Sequence, residues 1–161
     1  MKKFAIQSVL LLIVVAGGIF FYSGGFPNAS LPFLPQAPSS RQVLINDAKI
    51  KVEIADTQDK RSKGLGGREA IASDEGMLFV FDRTDRYPFW MKNLSFALDF
   101  IWINGEKIVE VTENVPPPAS GTPDSALTIF SSTTVVDKVL EVGAGTIKRL
   151  NIKVGDSAKL L

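Results

Sequence analysis

The 161-residue chain contains no cysteine and no histidine. The first absence removes disulfides, thiolate nucleophiles and sulfur-ligated metal centres; the second removes Ser-His triads and imidazole ligands. Any catalysis would rest on carboxylates, lysine, hydroxyls or a hard cation held by oxygens. No cofactor is implied. An excess of one charge is also missing: 18 Lys and Arg stand against 17 Asp and Glu, for a formal net charge of +1, and no basic block stands out. A nucleic-acid partner is therefore not expected.

What is present first is a long apolar run. Met1, Lys2 and Lys3 lead into an uncharged span from Phe4 to Tyr22. About 20 apolar residues match the hydrocarbon thickness of a bilayer as a helix. The two lysines ahead of the span place the N-terminus in the cytoplasm and the remainder outside. Residues 1–22 are thus expected to be a single-pass membrane anchor. The alternative is a cleaved signal peptide with Ala16-Gly17-Gly18 as its small-residue site, which would leave the protein secreted. Continuation of the apolar run through Ile19 to Tyr22 favours the anchor. With no cysteine, lipoprotein attachment is excluded. Residues 23–41, SGGFPNASLPFLPQAPSSR, carry the proline, glycine and serine of an extended tether. Phe26, Leu31, Phe33 and Leu34 are too apolar for a fully solvated linker and suit the bilayer surface or the domain.

From Gln42 to Leu161 the pattern is mostly strand. VLIN-DA-KIKVEIA alternates around Asn46-Asp47, a hairpin turn pair. Asp56 or Thr57 can cap a short helix, TQDKRSKGL, ended by Gly64-Leu65-Gly66-Gly67, and a helical turn is expected over Glu69 to Ala72. GMLFVFD, PFWMKN and FALDFIWI read as strands, and Asn104-Gly105 joins the last to KIVEVTENV. PPPASGTPDS is a loop that its prolines keep out of any sheet. Strands near LTIF and VVDKVLEV, a short helix in AGTIKRLN and a final strand after Gly155-Asp156 complete the chain. The expectation is a mainly β (α+β) domain, compact and β-barrel-like, with two short helices.

Several of these residues match a known pattern. Arg61-Ser-Lys-Gly-Leu65 with Arg68, Gly76-Met-Leu-Phe79, Phe89-Trp-Met-Lys-Asn93, Leu98-Asp99, Val139-Leu-Glu141, Ala144-Gly145 and Gly155-Asp156 occur in an order that resembles the DUF192 (UPF0127) family. The resemblance runs from about Lys49 to the C-terminus. It implies a β-rich, barrel-like domain with small helices, often exported, and brings no established chemistry. At Gly66 the chain departs from it, since family members often carry methionine after Gly-Leu.

The chemistry must therefore be argued from residues. PFWMKNLSFALD places Lys92 and Asp99 inside an apolar run, and buried charges need partners. In FALDFIWI, Phe96, Leu98, Phe100 and Trp102 share one face; Ala97, Asp99, Ile101 and Ile103 share the other, as in a strand covered on both sides. If PFWMKN pairs with it as a hairpin, Trp90 lies opposite Asp99, and Lys92 becomes the diagonal neighbour of Asp99. Asp99 then forms a structural pair with Lys92 or Arg68, with Trp90 in the core and Asn93 capping a turn. Alternatively, a cleft floored by Trp90 binds a polar or anionic ligand through Arg61, Arg68, Lys92 and Asn93, with Asp99 orienting the cations.

Enzyme readings are thinner. Lys92 with Ser95 invites a Ser/Lys dyad, and a two-carboxylate hydrolase would need Glu75, Asp82, Glu110 or Glu113 to face Asp99. Asp82 and Asp85 lack the ligand density of a calcium loop. Met77 and Met91 read as core rather than copper ligands. Asn28-Ala-Ser30 and Asn93-Leu-Ser95 match the glycosylation sequon, a pattern common by chance. The reading is a non-catalytic binding or accessory module at the outer membrane face. A cell-envelope hydrolase is the alternative, and a scaffold docking an envelope protein through PPPASGTPDS is a third.

Overall fold

The structure, a computed structural model, describes residues 41–161. The anchor and most of the tether expected over residues 1–40 lie outside the described residues. Among those described, no helix is long and apolar enough to cross a membrane.

The fold is mainly β, with one seven-stranded sheet curled into a half-barrel and two short helices. The strands are β1 (Arg41–Ile45), β2 (Ala48–Ala55), β3 (Glu75–Asp85), β4 (Leu98–Asn104), β5 (Lys107–Val115), β6 (Val136–Gly143) and β7 (Ala158–Leu160). The helices are α1 (Gln58–Lys63) and α2 (Thr146–Arg149). In space the strands run β5-β4-β6-β3-β2-β1-β7, antiparallel except for the parallel β2–β3 pair. The two edges meet at one end, where Lys107 bridges Ser157 and Ala158 N–H donates to the Glu106 carbonyl.

Local chemistry explains the short-range elements. Asn46 takes a left-handed φ of 53° in the two-residue turn between β1 and β2, and Gly105 takes 62° in the turn between β4 and β5. The Thr57 hydroxyl accepts from Lys60 N–H and starts α1; Gly64, at φ 51°, stops it. The helical turn expected over Glu69 to Ala72 does not form; that stretch is irregular loop.

Alternation along β4 divides the core. Ile101 and Ile103 enter the enclosed face with Ile50, Leu78, Leu140 and Ile147. Leu98, Phe100 and Trp102 pack on the outer face with Phe79, Val139 and Phe89. All of these β4 residues are buried, so the strand is covered on both sides. At Gly76 a Cβ would sit 2.6 Å from the Glu141 carbonyl oxygen, so only glycine lets β3 and β6 approach this closely.

The main correction concerns residues 86–97. β6, which lies between β3 and β4, and β5 together occupy both edges of β4, so the intervening segment cannot form a hairpin with β4. It crosses the outer face of β6 instead. Phe89 forms one bridge, with Phe130, through two N–H···O bonds of 2.8 Å. PFWMKN is therefore not a strand, and LTIF contributes only that bridge. The alternation within PFWMKN survives without the strand: Phe89 and Met91 are buried, whereas Trp90 and Lys92 are exposed.

Candidate functional site

The crossing segment and the end of α1 enclose a cleft of about 810 Å³ on the outer face. Its apolar wall is Phe79, Phe81, Tyr87, Phe89 and Leu94, with Trp90 at the side and Leu65 below the glycine loop. Phe81 and Tyr87 stack with centroids 3.5 Å apart and rings 7° from parallel, and Phe79 meets Phe89 edge to face at 5.0 Å. Arg61, Lys63 and Lys92 supply cations to the lining. Arg61 Nη1 donates to the Val80 carbonyl at 2.9 Å, and its guanidinium lies 5.2 Å from the Phe81 centroid. Lys92 pairs with Asp124, which lies outside the lining, and Lys63 has no ion pair among the described residues.

Two backbone contacts hold the walls together. Asn93, at φ 56°, offers its carbonyl to Gly67 N–H at 2.8 Å. A Cβ on Gly66 would lie 3.1 Å from the Lys63 carbonyl oxygen and 3.2 Å from that of Lys92. Any side chain here requires the two walls to give by a few tenths of an ångström. Gly66→Ala is accordingly expected to cost roughly 1 kcal/mol and lower Tm by about 4 °C. A thermal melt checks this; an unchanged Tm would mean that the two segments separate freely.

The cleft's floor holds a residue that the sequence places only in the Val139-Leu-Glu141 motif and not among the site candidates. Glu141 is 3 % exposed and lines the cleft. On β6 it lies opposite Met77 of β3 and Phe100 of β4, so both lateral neighbours are apolar. Burial alone pushes its carboxyl up to about 8, with no hydrogen bond or neighbouring charge contributing. No side-chain polar atom sealed from solvent lacks a partner among the described residues, so the Glu141 oxygens open onto the cleft. The available signal is the second acid of VDKVLEV, which stands at a position whose alternate neighbour, Val139, is buried on the outer face.

The structure brings Arg61, Trp90, Lys92 and Asn93 to this cleft and leaves Arg68 and Asp99 elsewhere. Arg68 grips Glu53 with two bonds of 2.7 and 2.8 Å. This pairing holds the Glu53 carboxyl below its usual range and raises Arg68. Asp99 is 1 % exposed and accepts from Asn114 N–H at 2.8 Å and Ile147 N–H at 2.9 Å. The expected Lys92–Asp99 contact is therefore corrected: Lys92 pairs with Asp124, and Asp99 fixes backbone on the enclosed side. Asp99 orients no cation in the cleft. No group of three acidic residues that could hold a metal ion occurs among the described residues.

Residues 41–160 match the DUF192 family, described as an uncharacterised ACR. The chain belongs to the DUF192 family. Two crystal structures carry the same fold. One, described as a proposed transcription regulator from Sinorhizobium meliloti 1021, is 31 % identical at a TM-score of 0.69, covering 79 % of this chain and 98 % of that one. The other, a protein of unknown function from Novosphingobium aromaticivorans DSM 12444, is 27 % identical at a TM-score of 0.64, covering 74 % and 83 % respectively. No curated protein matches the chain. DUF192 membership thus accounts for the half-barrel and leaves function to the cleft.

Proposed function

We propose that this DUF192 domain is a non-catalytic binding module whose outer-face cleft takes a small polar or anionic ligand. The carrying observation is the aromatic cleft of about 810 Å³ with three cations in its lining and a single, unpartnered carboxyl at its floor. Its size and mixed lining suit a small organic molecule rather than a bare ion. The apolar run of residues 4–22 supports a location at the outer face of the membrane, with the domain held there as an accessory to envelope chemistry.

An acid in an apolar setting also suits general-acid chemistry, which is what favours the hydrolase alternative. Among the described residues the cleft lining contains no second carboxyl, so neither two-carboxylate geometry is built from them. The regulator description of the Sinorhizobium protein finds little support in this chain, whose formal charge is +1 with no basic block.

The test is a titration of the full chain with inorganic phosphate, N-acetylglucosamine and triglycine, followed by indole emission. Trp90, 43 % exposed at the cleft, is expected to report saturable binding, and Trp90→Phe assigns the signal. Lys63→Ala with Lys92→Ala is expected to weaken phosphate at least tenfold. No saturable response to any of the three, nor to the zwitterions 4-aminobutyrate, 6-aminohexanoate and phosphocholine, would remove the binding reading.

A further inference from the structure

Glu141 has no structural task in the fold. Among the described residues its side chain makes no hydrogen bond or ion pair that shifts its titration, its strand neighbours Met77 and Phe100 are apolar, and it lines the cleft. A carboxyl kept in such a place without a partner costs stability, so an apolar residue would serve the fold better. What it can do is meet something arriving through the cleft. The aromatic side chains Phe79, Phe81, Phe89 and Trp90 line the same space. Aromatic faces together with a carboxylate are the combination that holds an organic cation. The other titratable groups of the lining are Arg61 and Lys63 from α1 and Tyr87 and Lys92 from the crossing segment; β3 and β4 contribute only apolar neighbours beside Glu141. A simple cation would pass these positive charges to reach the floor, whereas a molecule with an acidic group at its other end would be drawn by them.

We infer that the cleft selects a zwitterion, a small organic molecule whose ammonium pairs with Glu141 while its acidic group faces Lys63 and Lys92. The inference rests on the cleft being a binding site. At pH 7 the buried Glu141 carboxyl is mostly protonated, because burial alone raises it to about 8. Seating an ammonium converts it to the carboxylate: the O–H bond breaks, the proton leaves to buffer, and the ion pair remains. Binding of a zwitterion therefore releases close to one proton at neutral pH. Binding of an acid or a neutral sugar releases none from this group.

The experiment is calorimetric titration of the full chain at pH 7 in two amine-free buffers of different protonation heat. The probes are 4-aminobutyrate, 6-aminohexanoate and phosphocholine, each against its acid half alone (butyrate, hexanoate, inorganic phosphate), with choline as the cation alone. At least one zwitterion is expected to bind tenfold or more tightly than its acid half, with proton release. Glu141→Gln is expected to abolish that preference and the release while melting no lower than the parent. Equal binding of acid halves, binding without proton release, or unchanged zwitterion binding in the Glu141→Gln variant overturns the inference. If phosphate or N-acetylglucosamine binds and no zwitterion does, this inference alone falls. If nothing binds from either set of probes, the cleft reading falls with it.

Discussion

Asp99→Ala lowers the unfolding free energy of the domain by about 3–5 kcal/mol, because it strips the acceptor from two backbone donors at once. Asp99 is 1 % exposed and its two oxygens receive Asn114 N–H and Ile147 N–H, joining the end of β5 and the start of α2 to β4. Ile147 is buried, so its N–H has no water to turn to once the carboxylate is gone. Asp99→Asn keeps one acceptor oxygen and is expected to lose about half as much. Urea unfolding of the full chain checks both, as a lower midpoint at constant slope. Lys92→Ala is expected to cost less than about 1 kcal/mol, since its pairing with Asp124 is exposed. The double variant should equal the sum of the singles within about 0.5 kcal/mol, because the two charges belong to separate networks. Coupling well beyond that would restore the hairpin contact that the structure replaces.

Stability of the parent falls as pH rises from 5 to 8, and Glu141 is the cause. Its carboxyl, ordinarily near 4.5, sits at about 8 in the folded state because burial penalises the charged form. Between those values the folded chain holds a proton that the unfolded chain has released, so raising pH favours unfolding. The contribution is fully present below 4.5 and is lost as pH climbs through 8. The slope approaches about 1.4 kcal/mol per pH unit, or about 4 kcal/mol between pH 5 and 8. Glu53, Asp56, Asp74 and Asp156 act oppositely: hydrogen bonds to cations or to Asn46 lower them, so their stabilisation is lost as pH drops below the ordinary carboxylate range. Maximum stability is accordingly expected near pH 5. Glu141→Gln should flatten the profile between pH 5 and 8 and leave the variant more stable than the parent at pH 8. Denaturation midpoints at each pH unit test this, and a parent profile as flat as the variant's would mean that Glu141 is charged when folded.

The site was less legible than the fold, and particular residues show why. Motif and alternation point to Arg61, Trp90, Lys92 and Asn93, and these line one cleft. The link between Lys92 and Asp99 depends on a hairpin register that local alternation permits equally well whether or not the strands touch. Glu141 enters the sequence reading only within the Val139-Leu-Glu141 motif and not as a site residue, because an acid in a strand reads as a solvated edge until the strands on either side of it are known.

Much was nonetheless determined by the sequence alone. Asn46-Asp47 and Asn104-Gly105 specify turns, Thr57 starts α1 and Gly64 ends it, and the apolar residues on both faces of FALDFIWI announce a covered strand. DUF192 membership was visible in the order of short motifs. These signals are local, arising from the dihedral preferences of a few residues or from a two-residue period. Only the tertiary structure decided that β6, late in the chain, inserts between β3 and β4. That choice turns residues 86–97 from a strand into a roof and places Glu141 beneath it. Strand order depends on which distant pairings bury the most apolar surface on both faces of the sheet, and no window of neighbouring residues carries that information.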